Sequence, residues 1–202
     1  AKTLAMLGVL SAVIAVLRPL GAGTAGLEPI WVVLILGGRA LGPGFGFALG
    51  SIGLLASALL TGGVGPWLPF QMLAASWVGL GAGLLPQFRG KREIAMLAAY
   101  GAVASLVYGL LINLWFWPFT TNLADGIAFA PGAPLGENLA AWVRFTLVTS
   151  LGFDIPRAVL TAALIGIAGR PILFTLRRMA TKANFDPHVE FAPRTPQRTL
   201  LP

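Results

Sequence analysis

Thr61–Pro86, TGGVGPWLPFQMLAASWVGLGAGLLP, decides the organisation of this chain. The stretch begins with a turn rich in glycine and proline, which ends the preceding helix because neither residue type continues a helix well. An apolar helix follows, and small residues recur along it: Ala74, Ala75, Gly79, Gly81, Ala82 and Gly83. Small residues let the backbones of membrane helices approach closely, so the stretch predicts a tightly packed membrane helix.

The start of this helix carries side chains suited to holding a small molecule. Trp67 and Phe70 are large aromatic residues beside the turn, and Gln71 is an uncharged amide just inside the helix. Pockets for small molecules are mostly apolar and aromatic, with a few polar groups that fix the ligand. The turn and the first residues of the helix therefore predict part of a ligand cage.

Composition places the chain in a membrane. Of its 202 residues, 56% are hydrophobic and only 10% are charged, whereas a soluble globule carries about a quarter charged residues. The length suits one bundle of about six helices of roughly 20 residues each. We therefore expect an all-α integral membrane protein, folded as a compact bundle of six transmembrane helices.

The inventory of residues argues against catalysis. The chain has no cysteine and a single histidine, His188, so no Ser–His or Cys–His pair can be assembled in the membrane and no metal site is predicted. No phosphate-binding loop of the form G-x-x-x-x-G-K-[ST] occurs. We expect neither enzyme activity nor a cofactor. The basic residues behind the net charge of +7 flank apolar runs, which predicts membrane topology and not nucleic-acid binding.

Apolar runs bounded by Gly, Pro and charged residues predict the six spans. They are Leu4–Leu17, a run opened by Glu28-Pro29 that extends to Leu36, Phe45–Leu60, the helix that ends at Pro86, Glu93–Trp117 and Ser150–Gly169. Arg170-Pro171 is expected to bend the continuation of the last helix, and Arg177-Arg178 to end it. Residues 1–180 are predicted to form the membrane domain, and residues 181–202 a polar cytoplasmic tail that is extended or disordered.

Three connecting segments are predicted from their composition. Gly37–Gly44 contains Gly and Pro and predicts a tight turn. Thr120–Ala140 is a long loop without Lys or Arg, and Leu139–Val148 is expected to form a short interfacial helix.

The basic residues also predict the orientation. With the N-terminus in the cytoplasm, all but three of the 14 Lys and Arg residues lie on the inner side, and the exceptions are Arg18, Arg144 and Arg157. The long loop without basic residues then lies outside. Positive residues favour the cytoplasmic side of a membrane, so both termini are predicted to be cytoplasmic.

This orientation gathers aromatic and polar residues from several helices at the outer end of the bundle. The predicted ligand-binding residues are Trp31, Trp67, Gln71, Asn113, Trp117, Asp154 and Arg157. A concave, mostly aromatic pocket with a few polar groups is the usual form of a small-molecule site. Both tyrosines of the chain, by contrast, are predicted to be core residues.

Several of these residues also fit a purely structural role. Trp117 lies in an aromatic belt of the kind that anchors helices at the membrane interface. Asn113 can join two helices through its amide. Asp154 and Arg157 are three residues apart on a helix and can simply pair with each other.

Small residues also recur on one face of the first helix. They are Ala1, Ala5, Gly8, Ala12 and Ala15. Their 4-3-4-3 spacing places them on one side of a helix. Such a face predicts either close packing inside the bundle or a docking groove for the helix of a partner.

The chain resembles the substrate-binding S components of energy-coupling factor (ECF) vitamin transporters, from Ala5 to about Arg178. The resemblance depends on the small residues of the first helix and on three stretches: GGVGPWLPFQM at Gly62–Met72, NLWFWPF at Asn113–Phe119 and DIPRA at Asp154–Ala158. The first of these stretches looks most like the cobalamin-type and related actinobacterial members.

The resemblance implies a division of labour. Such a component binds its vitamin at the outer face of the bacterial plasma membrane and associates with a membrane coupling subunit of the EcfT type and two cytoplasmic ATPases. It is expected to topple in the bilayer to release the vitamin inside. The A-x-x-x-A docking motif of the family would fall on Ala1–Ala5 or, with Gly in place of the first Ala, on Gly8–Ala12. The residues alone leave two other functions open, a stand-alone carrier driven by an ion gradient and a membrane scaffold that transports nothing.

Overall fold

The structure is a computed structural model that describes residues 2–21, 26–120 and 122–184 of the chain. Within these residues the chain forms seven α-helices and no strand. In chain order the helices are α1 (Lys2–Leu17), α2 (Ile30–Leu41), α3 (Pro43–Thr61), α4 (Leu68–Leu84), α5 (Lys91–Phe116), α6 (Leu135–Thr149) and α7 (Leu151–Asn184). Short 3-10 turns, Arg18–Gly21 and Trp117–Phe119, follow α1 and α5. The described part of the chain is thus all-α, as predicted.

Four helical segments are long and apolar enough to cross a membrane. They are Lys2–Gly21, Pro43–Thr61, Lys91–Phe119 and Leu151–Lys182. The helices α2 and α4 are apolar but shorter, with 12 and 17 residues. At 1.5 Å per residue they extend about 18 and 26 Å, less than the roughly 30 Å of hydrocarbon in a bilayer. A membrane location is therefore supported by four spans, and the count of six stays a prediction.

The short helix α2 lies inside the bundle. Almost all of its residues from Ile30 to Arg39 are buried, and it packs against α1, α3, α4, α5 and α7. A helix that is apolar on all sides is typical of a position surrounded by other helices. Because α2 is enclosed by protein, it holds Trp31 and Arg39 at fixed positions near its two ends.

The helices α2, α3 and α4 meet at glycines. A Cβ atom added to Gly46 of α3 would overlap the carbonyl oxygen of Gly79 on α4, and one added to Gly38 of α2 would overlap the same carbonyl. One turn further along α3, Gly50 lies against the backbone of Ser76 in the same way. The close packing that the small residues of α4 predict is therefore present.

Three predicted helix boundaries are wrong. The turn predicted for Gly37–Gly44 is confined to Gly42, because α2 continues to Leu41 and α3 begins at Pro43. The helix predicted for Leu139–Val148 begins earlier, at Leu135. The last helix does not end at Arg177-Arg178 but continues to Asn184, with Pro171 inside it.

The structure bears on only part of the predicted tail. Residues 181–184 belong to α7, whereas residues 185–202, which include His188, lie outside the described residues. Ala1 also lies outside them. The domain boundary at residue 180 stays a prediction.

A charged cluster, formed by Arg39, Glu93 and Arg177, joins α2, α5 and α7. Arg39 Nε donates to Glu93 Oε1 at 2.7 Å, and Arg177 donates to both oxygens of the same carboxylate at 3.0 and 2.6 Å. Arg39 also donates from Nη1 and Nη2 to the carbonyl oxygens of Leu85 and Pro86, at 2.8 and 3.0 Å. Every nitrogen of the Arg39 guanidinium therefore has an acceptor, although only 1% of the side chain is exposed. We call this set the Glu93 cluster; the sequence did not predict it.

Candidate ligand-binding site

A cavity of about 210 Å³ lies at the other end of the bundle. It is enclosed by the segment after α1, the starts of α2, α4 and α7, and the end of α5. The lining residues are Arg18, Glu28, Ile30, Trp31, Leu54, Gln71, Tyr108, Gly109, Ile112, Asn113, Ser150, Phe153, Asp154 and Arg157. Along α5, Glu93 and Asn113 are separated by about 30 Å, so the cavity and the Glu93 cluster lie near opposite ends of that helix.

Two aromatic side chains form one wall of the cavity. The rings of Trp31 and Tyr108 lie with their centroids 4.4 Å apart and their planes at 60°. Both side chains are almost fully buried. Trp31 Nε1 donates a hydrogen bond to Glu28 Oε2 at 2.9 Å, so the indole is fixed in rotation. The wall therefore offers a rigid aromatic surface to a ligand.

Arg157 lies against this wall and pairs with two carboxylates. Its Nη1 donates to Asp154 Oδ1 at 2.6 Å, and its Nε lies 3.3 Å from Glu28 Oε2. The guanidinium carbon is 5.3 Å from the centroid of the Tyr108 ring and 6.0 Å from that of Trp31. These are distances at which a cation is attracted to an aromatic ring. We call Glu28, Asp154 and Arg157 the Arg157 cluster.

The Arg157 cluster is incompletely hydrogen-bonded. Arg157 Nε is buried and has no hydrogen-bond partner in the described structure. Although it is close enough to Glu28 Oε2 for an ion pair, the two groups are not aligned for a hydrogen bond. A buried donor without an acceptor is costly. A small rotation of Glu28 would complete this bond, because Nε is closed to solvent and lies 3.3 Å from Glu28 Oε2.

A glycine of α5 makes room for one of these carboxylates. A Cβ atom added to Gly109 would overlap both oxygens of Asp154. Only a residue without a side chain lets α5 approach α7 closely enough at this point. The close approach places the Asp154 carboxylate beside Arg157 instead of pushing it out of the cavity.

The two predicted amides reach the cavity and bind other groups. Gln71 Oε1 accepts a hydrogen bond from Arg18 Nη2 at 2.8 Å, which joins the start of α4 to the segment after α1. Asn113 Nδ2 donates to Ser150 Oγ at 2.6 Å and to Thr146 Oγ1 at 3.2 Å. Asn113 thus joins α5 to α6 and to the residue before α7, which is the structural role considered for it above. It also lines the cavity.

Two of the predicted ligand-binding residues do not line this cavity. Trp67 is 42% exposed, and its ring packs over Gly65 in the turn before α4. Trp117 is buried with Ala141 and Phe145 in a separate small core, where its Nε1 donates to the carbonyl oxygen of Ile127 at 2.7 Å. This hydrogen bond occupies the indole nitrogen of Trp117. The side chain therefore holds the 122–134 loop against α6.

The other predicted residues come together at the cavity, and three of the lining residues that the sequence did not assign to the site belong to its aromatic wall or carry its charges. Trp31, Gln71, Asn113, Asp154 and Arg157 line it together with Arg18, Glu28 and Tyr108.

The three unassigned residues differ in the sequence signal that could have found them. Arg18 was predicted to lie on the outer side, and Glu28 to open the second span. A charge beside an apolar run needs a partner, which is a usable signal. Tyr108 was predicted to be a core residue. Its position next to Gly109 gives no sign that it faces a cavity.

One comparison with known proteins identifies the family. Residues 2–169 match the family model described as ECF transporter, substrate-specific component. The chain belongs to this family. No curated protein and no solved structure matches the chain. The match is to the ECF substrate-specific components as a whole, and it does not support the narrower resemblance to cobalamin-type members.

Membership in the ECF substrate-specific components has consequences for function and assembly. These proteins bind the substrate of a transporter and are generally not enzymes. They work with a membrane coupling subunit of the EcfT type and an ATPase module. The absence of a phosphate-binding loop from this sequence agrees with that division.

The predicted docking face of this S component is largely uncovered. Ala5, Gly8 and Ala12 are exposed on α1, and a Cβ atom added to Gly8 would meet no atom within 4 Å. Ala15, in contrast, is buried in the bundle. Of the two possible docking motifs, only Gly8–Ala12 lies wholly within the described residues. Its role in docking stays a prediction.

Proposed function

We propose that this S component binds a compact vitamin or related micronutrient in the cavity beside Arg157 and delivers it to an ATP-driven importer. The observation that carries the proposal is the lining of the cavity. A fixed aromatic wall, two arginines, two carboxylates and two amides face one space of about 210 Å³. A space lined by aromatic side chains, with a small number of polar groups that converge on it, is typical of a small-molecule site.

The unfilled hydrogen bond of Arg157 supports binding of an oxygen-bearing ligand. Arg157 Nη2 forms no hydrogen bond with a described residue, and the side chain is 10% exposed where it lines the cavity, so a carboxylate or carbonyl oxygen of a ligand can accept from it. Hydrogen bonds to charged groups are worth about 1.5–3 kcal/mol. The planar wall of Trp31 and Tyr108 suits a ring system in the same ligand.

The charges of the lining favour a ligand without a large net charge. Arg18 and Arg157 are balanced by Glu28 and Asp154 in the same cavity. A neutral or zwitterionic ligand leaves this balance intact, whereas a strongly charged one leaves a buried charge without a partner.

The volume of the cavity favours a ligand smaller than cobalamin. Pockets for small molecules commonly measure about 300–1,000 Å³, and the cavity, at about 210 Å³, is smaller than this range. A vitamin with one or two rings fits a space of this order. Cobalamin, which the sequence favoured, is a corrin macrocycle with a nucleotide tail and would require the helices to separate widely. We therefore propose a ligand of one or two rings.

We place the cavity at the outer face of the bacterial plasma membrane, with six crossing helices and both termini in the cytoplasm. The basic residues support this orientation, because Arg89, Lys91 and Arg92 lie at the end of α5 away from the cavity and positive residues favour the cytoplasmic side. The helix α2 can complete a crossing despite its length, since protein surrounds it and the flanking segments need not meet lipid.

The exposed small-residue face of α1 supports docking to the coupling subunit. A second helix can approach α1 closely at Gly8, where no atom of the described structure would block it. Delivery then follows if the S component reorients against that subunit, so that the cavity faces the cytoplasm. The free energy for this step comes from the ATPases of the partner.

Mass spectrometry of the purified full-length chain tests the proposal. We expect a small molecule to co-purify with the wild type and with Arg144→Gln, because Arg144 is exposed and, among the described residues, forms a hydrogen bond only with the carbonyl oxygen of Gly126. Arg157→Gln should bind the same molecule at least about tenfold more weakly, the effect of losing one hydrogen bond to a charged group.

Transport assays in proteoliposomes separate the alternatives. Uptake that requires the coupling subunit and ATP supports the proposal. Concentrative uptake by the chain alone, abolished by an uncoupler, would instead identify a carrier driven by an ion gradient. A chain that binds no small molecule and supports no uptake with its partners would be a scaffold.

A further inference from the structure

The last third of α7 carries arginines that the proposed transport function does not use. Arg170, Arg177 and Arg178 line an open groove of about 720 Å³ between α7 and the first turn of α5. Arg177 pairs with Glu93. Arg170 and Arg178 are exposed and form no hydrogen bond or ion pair with any described residue. Two guanidinium groups in this groove are therefore free to bind an anion.

The groove is apolar as well as basic. Ile94 of α5 and Leu173 and Phe174 of α7 line it together with the arginines. Phe174 is 68% exposed and lies four residues after Arg170 and four before Arg178. Residues at this spacing share one face of a helix. One ligand can therefore contact the guanidinium groups and the phenyl ring at once, which requires a molecule with an anionic head and an apolar body.

The position of the groove along α7 matches the surface of a bilayer. The part of the helix before Arg170, from Leu151 to Gly169, is charged only at Asp154 and Arg157 near its start. It extends roughly 28 Å at 1.5 Å per residue, which is close to the thickness of the hydrocarbon. Arg170 follows directly, so the groove begins where the hydrocarbon ends. Lipid headgroups occupy this depth, and their acyl chains lie beside the apolar residues that precede Arg170.

We propose that this groove binds the headgroup of an anionic phospholipid. The phosphodiester would accept hydrogen bonds from Arg170 and Arg178, the glycerol backbone would lie along Phe174, and the acyl chains would lie beside the apolar residues that precede Arg170. Basic pockets between membrane helices on the cytoplasmic side bind anionic headgroups by this chemistry. The Glu93–Arg39 pair behind the groove keeps Arg177 in place, so the site keeps its shape when the lipid leaves. The proposal rests on the membrane location and on the proposed orientation, and not on the ligand of the other cavity.

Native mass spectrometry of the full-length chain, titrated with phosphatidylglycerol or phosphatidylcholine, tests this site. We expect the wild type to bind phosphatidylglycerol more tightly. Arg170→Gln/Arg178→Gln should weaken that binding by about fivefold for each guanidinium removed. The matched control is Arg89→Gln/Arg92→Gln, which removes the same charge from exposed residues at the same end of the bundle. The control should weaken the binding less than Arg170→Gln/Arg178→Gln does, because neither Arg89 nor Arg92 lines the groove.

Three results would overturn the proposal. Equal weakening by both double variants would show diffuse attraction to surface charge. Equal binding of the two lipids would show that the headgroup charge is not recognised. Displacement of the lipid by inorganic phosphate at the same concentration would identify a site for free phosphate.

A photoreactive phenylalanine analogue at Phe174 gives an independent readout that does not depend on the arginine variants folding. In membranes that contain phosphatidylglycerol, we expect it to cross-link to that lipid. Cross-linking only to residues 185–202 of the same chain or to a coupling subunit would show that protein occupies the groove, and would overturn the proposal.

Discussion

The Glu93 cluster and the Arg157 cluster are both buried sets of carboxylate and guanidinium groups, but they are built differently. In the first, Arg39 has an acceptor for every nitrogen, and two arginines share one carboxylate. In the second, the single arginine Arg157 pairs with two carboxylates, and its buried Nε has no hydrogen bond within the described structure. The buried pair of Arg39 and Glu93 has no open position for another molecule. The Arg157 cluster lies beside a cavity, where Arg157 Nη2 has no hydrogen bond with a described residue and can donate to a ligand.

This difference predicts that the two ends of the bundle respond differently to substitution. Loss of a group from the Glu93 cluster should lower stability and leave the intrinsic ligand affinity unchanged. Loss of a group from the Arg157 cluster should lower ligand affinity more than stability. The predictions below test that contrast, from the largest expected effect to the smallest.

Glu93→Ala should destabilise the fold most, by about 3–5 kcal/mol, because it leaves the buried Arg39 guanidinium without its carboxylate. The measurement is the unfolding midpoint of the purified chain in detergent. Glu137→Ala is the matched control, since Glu137 is exposed on α6, and it should change the midpoint little. Equal midpoints for the two variants would contradict the structural role of the Glu93 cluster.

Gly8→Leu should prevent assembly with the coupling subunit while the chain still binds its ligand. The added side chain would project from the exposed face of α1, where it meets no atom of the bundle, and would hinder close approach of a second helix. Co-purification with the coupling subunit measures assembly, and ligand affinity is measured on the isolated chain. Parallel loss of both activities would show that this face belongs to the core of the bundle.

Gly109→Ala should weaken ligand binding by roughly tenfold, because the new methyl group displaces the Asp154 carboxylate and disturbs its pair with Arg157. Gly152→Ala on α7 is the control, since a Cβ atom there would meet nothing within 4 Å. Ligand affinity by calorimetry compares the two. If Gly109→Ala binds as the wild type does, the Arg157 cluster is not part of the site.

Tyr108→Phe should have the smallest effect and weaken ligand binding by less than about threefold. The ring provides the aromatic wall, and the hydroxyl makes no hydrogen bond within the described structure. Tyr108→Ala should lose the wall and most of the affinity. A large loss with Tyr108→Phe would show that the hydroxyl itself binds the ligand.

The sequence predicted the class of the fold and most of its helices, because composition and helix-breaking residues act locally. The Gly/Pro turn before α4 and the small residues of α4 are examples, and the backbone contact at Gly79 follows from them. Helix boundaries were predicted wrongly where tertiary packing prevails over the local preference of the sequence. Gly38, in a predicted turn, stays helical because its missing side chain lets α2 contact α4.

The site was less predictable than the fold because its contacts join distant positions. Arg18 and Gln71 are 53 residues apart, and Arg39 and Glu93 are 54 apart. Knowing which residues lie at one end of a bundle does not tell which helices are neighbours there. Trp117 shows the same limit, since an interfacial tryptophan can face a ligand or hold a loop, and only its bond to Ile127 distinguishes the two.

Labelling of single cysteines in intact cells tests the central claim most directly, namely that the Arg157 end of the bundle faces outward and the basic end faces the cytoplasm. The chain has no native cysteine, so a single introduced cysteine can be followed alone. We choose Leu135→Cys, at the 84% exposed first residue of α6, the helix that leads to the cavity end of α7. The second variant is Arg89→Cys, at the opposite end of the bundle. We predict that a membrane-impermeant thiol reagent labels Leu135→Cys in intact cells and Arg89→Cys only after the membrane is opened. The reverse pattern would place the cavity on the cytoplasmic side and contradict the account.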